Sequence, residues 1–445
     1  MFKHFGVAKL VFILIVTCLV LGAGAVIAQD EQTLTISFPG DPRSEMVNAL
    51  IDGFVSMKAD EGVTVNVVIN EPTEGYTDQL LLDFSADVGP DVFSVSADFL
   101  PDLVGAEVIM PLDDLLLEWA DWDNFPQGMK EMPAYNGATY AVMYNTDTRV
   151  LFYRSDILEA AGVALPFNPT SWEEIFEAAE MIKQNVPDVI PMEVESGTIW
   201  GEGTTIDGFF MLFGGAGGTL LDTSDNKWIV ESPAILDAFS FYERMFGEEY
   251  SAAEPFMEPE PWVFYLQEGL SNGDVGMAVV VNVVWGLYAP DGAWGIENRD
   301  EVLSWAPMPA REPGAGINDW DYIGMGGGWG WAMSSATENA DLDWEFIQYM
   351  SSPESIGAYA EGVGGIPSRV DAPTDEFNEA LATLVLPFQS FRPAHPDYTR
   401  VSEQIQIATE RIMLGEATAA EAMELFAEAV EDIVGSDNVK RLPLE

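Results

Sequence analysis

The run TLTISFPG (Thr33–Gly40) alternates apolar and hydroxyl side chains until a glycine stops it, the pattern of a half-buried strand. DPRSEMVNALIDGFVSM then places apolar residues at helical spacing, and VTVNVVIN (Val63–Asn70) returns to a strand. YTDQLLLDFSADV is helical again and runs into PDVFSVS (Pro90–Ser96), a short apolar strand. Strand, helix, strand, helix, strand with short turns predicts a parallel sheet covered by helices. Farther on, NGATYAVMYNTDTRVLFYRSDILEAAG carries two extended runs and a helix opening. SWEEIFEAAEMIKQ starts another helix, with Ser171 as N-cap and Glu174 at the capping-box position. The stretch from Glu193 to Pro307 is rich in Trp and Gly, whereas DLDWEFIQYMSSPESIGAYAEG and YTRVSEQIQIATERIMLGEATAAEAMELFAEAVEDIV read as amphipathic helices. One segment fits neither period: GMGGGWGWAMSSAT (Gly324–Thr337) sets two tryptophans among glycines. Such a backbone can take positive φ or lie very close to a ligand or another strand.

Composition narrows the class. At 445 residues the chain exceeds the ~250–300 residues of a single core, which predicts two lobes. The 74 acidic residues against 18 basic ones give a formal net charge of −56, and such a surface repels nucleic acid and anionic membranes. The charge is spread through the whole chain, so it reads as a hydrated surface rather than a cation site. At the N-terminus, Lys3 and Lys9 precede the apolar run Leu10–Leu21 and the small-residue end GAGAVIA. Residues 1–28 therefore read as a signal peptide cleaved after Ala28, with a membrane anchor over Val7–Ala28 as the rival. Lipid attachment at Cys18 is disfavoured, because Ile15-Val16-Thr17 makes a poor lipobox. Cys18 is the only cysteine, and beyond Ala28 the only histidine is His395. No disulfide, structural zinc site or His-based triad can then be built, and the expected protein is extracytoplasmic, either periplasmic or secreted and cell-surface associated.

Several segments, in order, resemble the extracellular solute-binding proteins of ABC importers, in the branch of maltose-binding protein. They are YTDQLLLDFSADVGPDVF, GAEVIMPLDDL, NGATYAVMYNTDTRVLFYRSDILEAAGV, TSWEEIFEAAEMI, GDVGMAVVVNVVW, GGGWGWAMSSAT, EFIQYMSSPESIGAYAEGVGGIPS and RPAHPDYTRVSEQIQIATERIMLGEATAAEAM. The resemblance implies an α/β fold of two lobes, a type II clamp, each lobe a mostly parallel sheet flanked by helices. Lobe one would be 29–146 and 311–363, and lobe two 147–310 and 364–445. The chain would cross near Asn145–Arg149, Pro307–Glu312 and Gly362–Pro367. It also implies a monomer without cofactor or metal, which captures a carbohydrate, an oligosaccharide, and hands it to the membrane permease subunits.

Sugar sites need aromatic platforms for C–H faces beside groups that pair with hydroxyls. Trp285 stands where the family's stacking aromatic stands, and Trp329 belongs to the glycine loop that the resemblance places at the cleft together with Gly328. Trp331 is assigned to the core. Asp98 and Asp147 match acids that accept sugar hydroxyls, with Asn145 as a neighbour that could instead hold the hinge turn. Asp41 after the first strand, Tyr76 at a helix start, Trp200 in SGTIWGEG and Arg392 in FRPAHPDY complete the expected ligand contacts. GGAGG (Gly214–Gly218) lacks the Lys-Ser/Thr of a phosphate loop and precedes an expected hairpin. Two alternatives to sugar capture stand beside it. The same clamp could bind a polyamine, a peptide or another solute, and a glycoside hydrolase could use two of the many carboxylates, though no eight-fold barrel repeat carries them.

Overall fold

A computed structural model describes residues 31–40, 44–72, 76–363 and 365–444. The first α/β unit behaves as its pattern predicts. Strands Glu31–Ser37, Thr64–Asn70 and Val92–Ser96 pair in parallel, with helices Ser44–Asp60 and Tyr76–Ser85 between them. Two later strands join the same sheet: Trp329–Met333 runs antiparallel to Val92–Ser96, and Val142–Met143, antiparallel to Trp329–Met333, lies at its far edge. The second sheet is ordered Leu303–Ala306, Arg149–Arg154, Val275–Val281, Ile190–Val194.

Mostly parallel sheets were expected, and both are mixed. In the second sheet Arg149–Arg154 runs antiparallel to both neighbours, and only Val275–Val281 with Ile190–Val194 is parallel. The cause is the connection between lobes. Strands made within a lobe point their carboxyl ends at the cleft, whereas Arg149–Arg154 and Trp329–Met333 enter their sheets from the cleft side and must run the opposite way. Arg149 therefore lies opposite Val281, and Trp329 opposite Ser96.

Each sheet has its own core. Leu34, Ile36, Phe54, Trp331 and Phe346 pack in the first; Leu151, Ile175, Phe209, Phe239 and Phe426 pack in the second. Asn145–Thr146 and Ile366–Pro367 form a short antiparallel pair between the two bodies. The strand Tyr322–Met325 pairs with Met308–Pro309 and Gln389–Ser390, and its Ile323 and Met325 belong to the second core. Residues 311–325, expected in lobe one, thus include a strand on the second core, and the chain reaches the first sheet only past Gly326–Gly328.

Local signals hold with one change. Ser171 caps the helix Trp172–Asn185 by accepting from the Glu174 N–H, but the Glu174 carboxylate accepts from Thr170 N–H at 2.6 Å instead of closing the box on Ser171. A complete capping box falls at Thr418 and Glu421. The hairpin expected after GGAGG is the pair Leu221–Asp222 and Lys227–Glu231. The signal segment 1–28 lies outside the described residues; among those described, no helix is long and apolar enough to cross a membrane.

Candidate ligand-binding cleft

Where the carboxyl ends of the two sheets face each other, a cavity of about 490 Å³ opens between the bodies. The first sheet contributes Ser96 and Trp329; the second contributes Arg149, Val280, Val281 and Glu195, which follows the Ile190–Val194 strand. α/β sheets place ligand contacts at this end because the loops and helix starts there leave polar groups unpaired with the sheet.

The glycine run forms one wall, and hydrogen bonds from the first crossing hold it. Gly327 N–H donates to Asp147 Oδ1 and Trp329 N–H to Asn145 Oδ1, each at 2.9 Å, while Thr146 Oγ1 donates to Gly327 O. Neither Gly327 nor Gly328 takes a left-handed backbone. Close approach is what requires Gly328, since a Cβ there would lie 2.6 Å from the Asn145 carbonyl oxygen. Trp329, at the start of its strand, rests on Tyr76 with ring centroids 6.1 Å apart and turns into the cavity. Trp331, two residues deeper, is 1% exposed among Phe38, Tyr144 and Phe346.

Charge in the cavity is arranged around two guanidiniums. Arg149 bonds Asp147 Oδ1 and Asp207 Oδ1, both at 2.5 Å. Burial works against its charge, but the fields of the two aspartates outweigh it and raise its pKa further. Arg392 pairs with Glu202 Oε1 at 3.2 Å, and Ser402 Oγ donates to Glu202 Oε2 at 2.6 Å. Glu195 differs. It is 2% exposed, and its Oε2 has no hydrogen-bond partner among the described residues. Burial pushes its pKa well above the ordinary carboxyl value, Asp207 and Glu193 add to this, and Arg149 and the Trp200 side chain oppose it. Glu193, two residues earlier on the strand, is fully buried with neither oxygen paired, and burial and then Asp207 raise its pKa as well.

Residues 42–356 match the family model of bacterial extracellular solute-binding proteins. The chain belongs to that family. A protein of Brucella abortus (strain 2308) named as a binding protein is 22% identical over 371 residues, covering 80% of this chain and 82% of its own. Among solved structures, an ABC transporter solute-binding protein of Thermotoga lettingae TMO, bound with α-D-tagatose, is 26% identical with a TM-score of 0.72, over 91% of this chain and 100% of that one. The sugar-binding protein MalE of Xanthomonas citri is 20% identical with a TM-score of 0.73, over 91% and 98%.

In this solute-binding protein the structure brings together Asp147, Trp200, Gly328, Trp329 and Arg392 of the expected contacts. Three of the others lie elsewhere. Tyr76 is buried beneath Trp329, its hydroxyl donating to the carbonyls of Ser37 and Ser94, so it supports the platform and does not line the cavity. Asn145 is 7% exposed and spends its side-chain oxygen on the glycine loop. Trp285 is not in this cavity: it stacks between Phe152 and Phe377, with the Arg299 guanidinium 4.0 Å from its ring. A short helix, Val284–Leu287, follows its strand and carries the indole away from the sheet end. Asp98 belongs to the helical turn Ala97–Phe99, but its side chain, like the whole of Asp41, lies outside the described residues. Pattern reading missed Arg149, Glu195, Glu202 and Asp207. For Arg149, Glu195 and Asp207 the signal was an ionisable residue in a largely apolar run, as in PMEVES, RVLFYR and TTIDGFFMLF; Glu202, between glycines, carried none.

Proposed function

We propose that this protein captures a carbohydrate in the interlobe cavity and delivers it to the permease of an ABC importer. The observation that carries this reading is the meeting of two indoles, Trp200 and Trp329, with the carboxylates of Asp147 and Glu195 in one cavity. Indole faces take the C–H face of a pyranose, and the carboxyl groups hydrogen-bond its hydroxyls. About 490 Å³ suits one or two sugar units at the centre of a longer chain, consistent with an oligosaccharide. The lobes in this reading are 31–146 with 329–363 and 147–325 with the C-terminal part, joined at Asn145–Arg149, Gly326–Gly328 and the segment around Ile366. Residues 1–28 direct export and are removed, the mature protein is a monomer outside the cytoplasm, and it leaves its ligand chemically unchanged.

The test is a thermal-shift screen of the purified mature chain against mono- and oligosaccharides, followed by calorimetry of each hit. A ligand at 100 times its Kd adds about 2.7 kcal/mol of stability. One-to-one binding with no new reducing ends after prolonged incubation is the expected result. Release of reducing ends that a single Asp or Glu substitution abolishes would establish hydrolysis instead, and no response to any sugar would overturn the ligand class.

A further inference from the structure

The cavity's charge is not balanced by its own residues. Asp147, Glu195, Glu202 and Asp207 face it, against Arg149 and Arg392. Arg149 is engaged by Asp147 and Asp207, and Arg392 by Glu202. Glu195 lines the cavity without a cation of its own, and its Oε2 is buried with no hydrogen-bond partner among the described residues. Buried without a cation the group keeps its proton, and its ionised form would need a charged partner. A cationic ligand would supply that partner and draw the proton off. Trp200 and Trp329 line the same space, and indole faces attract ammonium groups as well as C–H faces.

We propose that the ligand is an amino sugar with a free ammonium group, seated so that the ammonium bonds Glu195 while the ring lies against the indoles. The inference rests on the carbohydrate reading and narrows it. Phosphorylated and uronic sugars are excluded, since their anions would meet a cavity already in excess of negative charge. N-acetylation of the ligand removes the charge and adds bulk where Glu195 expects a donor.

Calorimetry of the mature chain with glucosamine, galactosamine, mannosamine and the β-1,4 glucosamine trimer, each beside its N-acetylated and all-hydroxyl counterpart, separates the outcomes. At least one free amine should bind tenfold or more tighter than both counterparts, and Glu195→Gln should remove that preference. Neutral or N-acetylated sugars binding as tightly as every amine would sink the proposal and leave the carbohydrate reading standing. Spermidine binding with no response to any sugar would instead sink the carbohydrate reading, and this proposal with it. A wild-type preference for the amine that survives in a folded Glu195→Gln variant would place the ammonium elsewhere and overturn the assignment to Glu195.

Discussion

Trp329 and Trp331 are two residues apart and do different work, because one lies at the cleft edge of the sheet and the other inside the first core. Their alanine variants should therefore separate. Trp329→Ala is expected to weaken ligand binding by at least ~2 kcal/mol, more than roughly tenfold, with little change in melting temperature. Trp331→Ala should cost ~3–5 kcal/mol of stability and leave the affinity of the folded fraction nearly unchanged. Melting curves and calorimetry on both variants check this. Glu193 sets a second expectation. Its folded pKa is raised above the ordinary 4.5, so the folded state holds a proton that the unfolded chain releases, and stability falls as pH rises from about 4.5 through the folded pKa. Glu193→Gln does not titrate. It should be more stable than the parent at neutral pH, by on the order of 1 kcal/mol or more, with the advantage vanishing near pH 4.5. Denaturant melts across that range test the sign.

At the scale of elements, the glycine loop is a device for close approach. Gly328→Ala would drive a methyl against the Asn145 carbonyl, 2.6 Å away, and that oxygen belongs to backbone that cannot rotate aside. The loop must shift, which breaks the bond from Trp329 N–H to Asn145 and moves the indole. The expected cost is about 1–3 kcal/mol of stability, together with weaker ligand binding. Unaltered melting and affinity would show that the loop has slack. The strands of the first α/β unit were legible because period two and period 3.6 are local properties. Arg149–Arg154 was legible as an extended run but not in its direction, because the direction of a strand depends on the end from which the chain enters the sheet, and Trp329–Met333, set among glycines, fitted neither period.

For the whole molecule, two cores joined by short crossings make a clamp, and a ligand seated in the cavity would touch both bodies. Bridging contacts exist only when the lobes are together, so ligand should shift an open–closed equilibrium towards the compact form. Small-angle scattering with and without a saturating sugar should show a smaller radius of gyration with ligand. Superimposable curves would mean that the lobes are already fixed.

The order of elements, the two-lobed α/β class, the poverty in Cys and His and the aromatic-rich loops are all written in local pattern and composition, which need no knowledge of distant contacts. The resemblance to the family, and not local pattern, supplied Asp147, Trp200, Gly328, Trp329 and Arg392, which meet in one cavity. The rest depends on which side chains meet across the cleft. Arg149 and Asp207 are 58 residues apart, and Arg392 and Glu202 are 190 apart, and nothing in either local sequence names its partner. The same holds for what was misplaced: Trp285 is drawn out of the cavity by Phe152 and Phe377, far from it along the chain. Whether a carboxyl group is exposed, paired or buried without a cation is a property of packing, and it is the burial of Glu195 at the cavity that bears on the ligand.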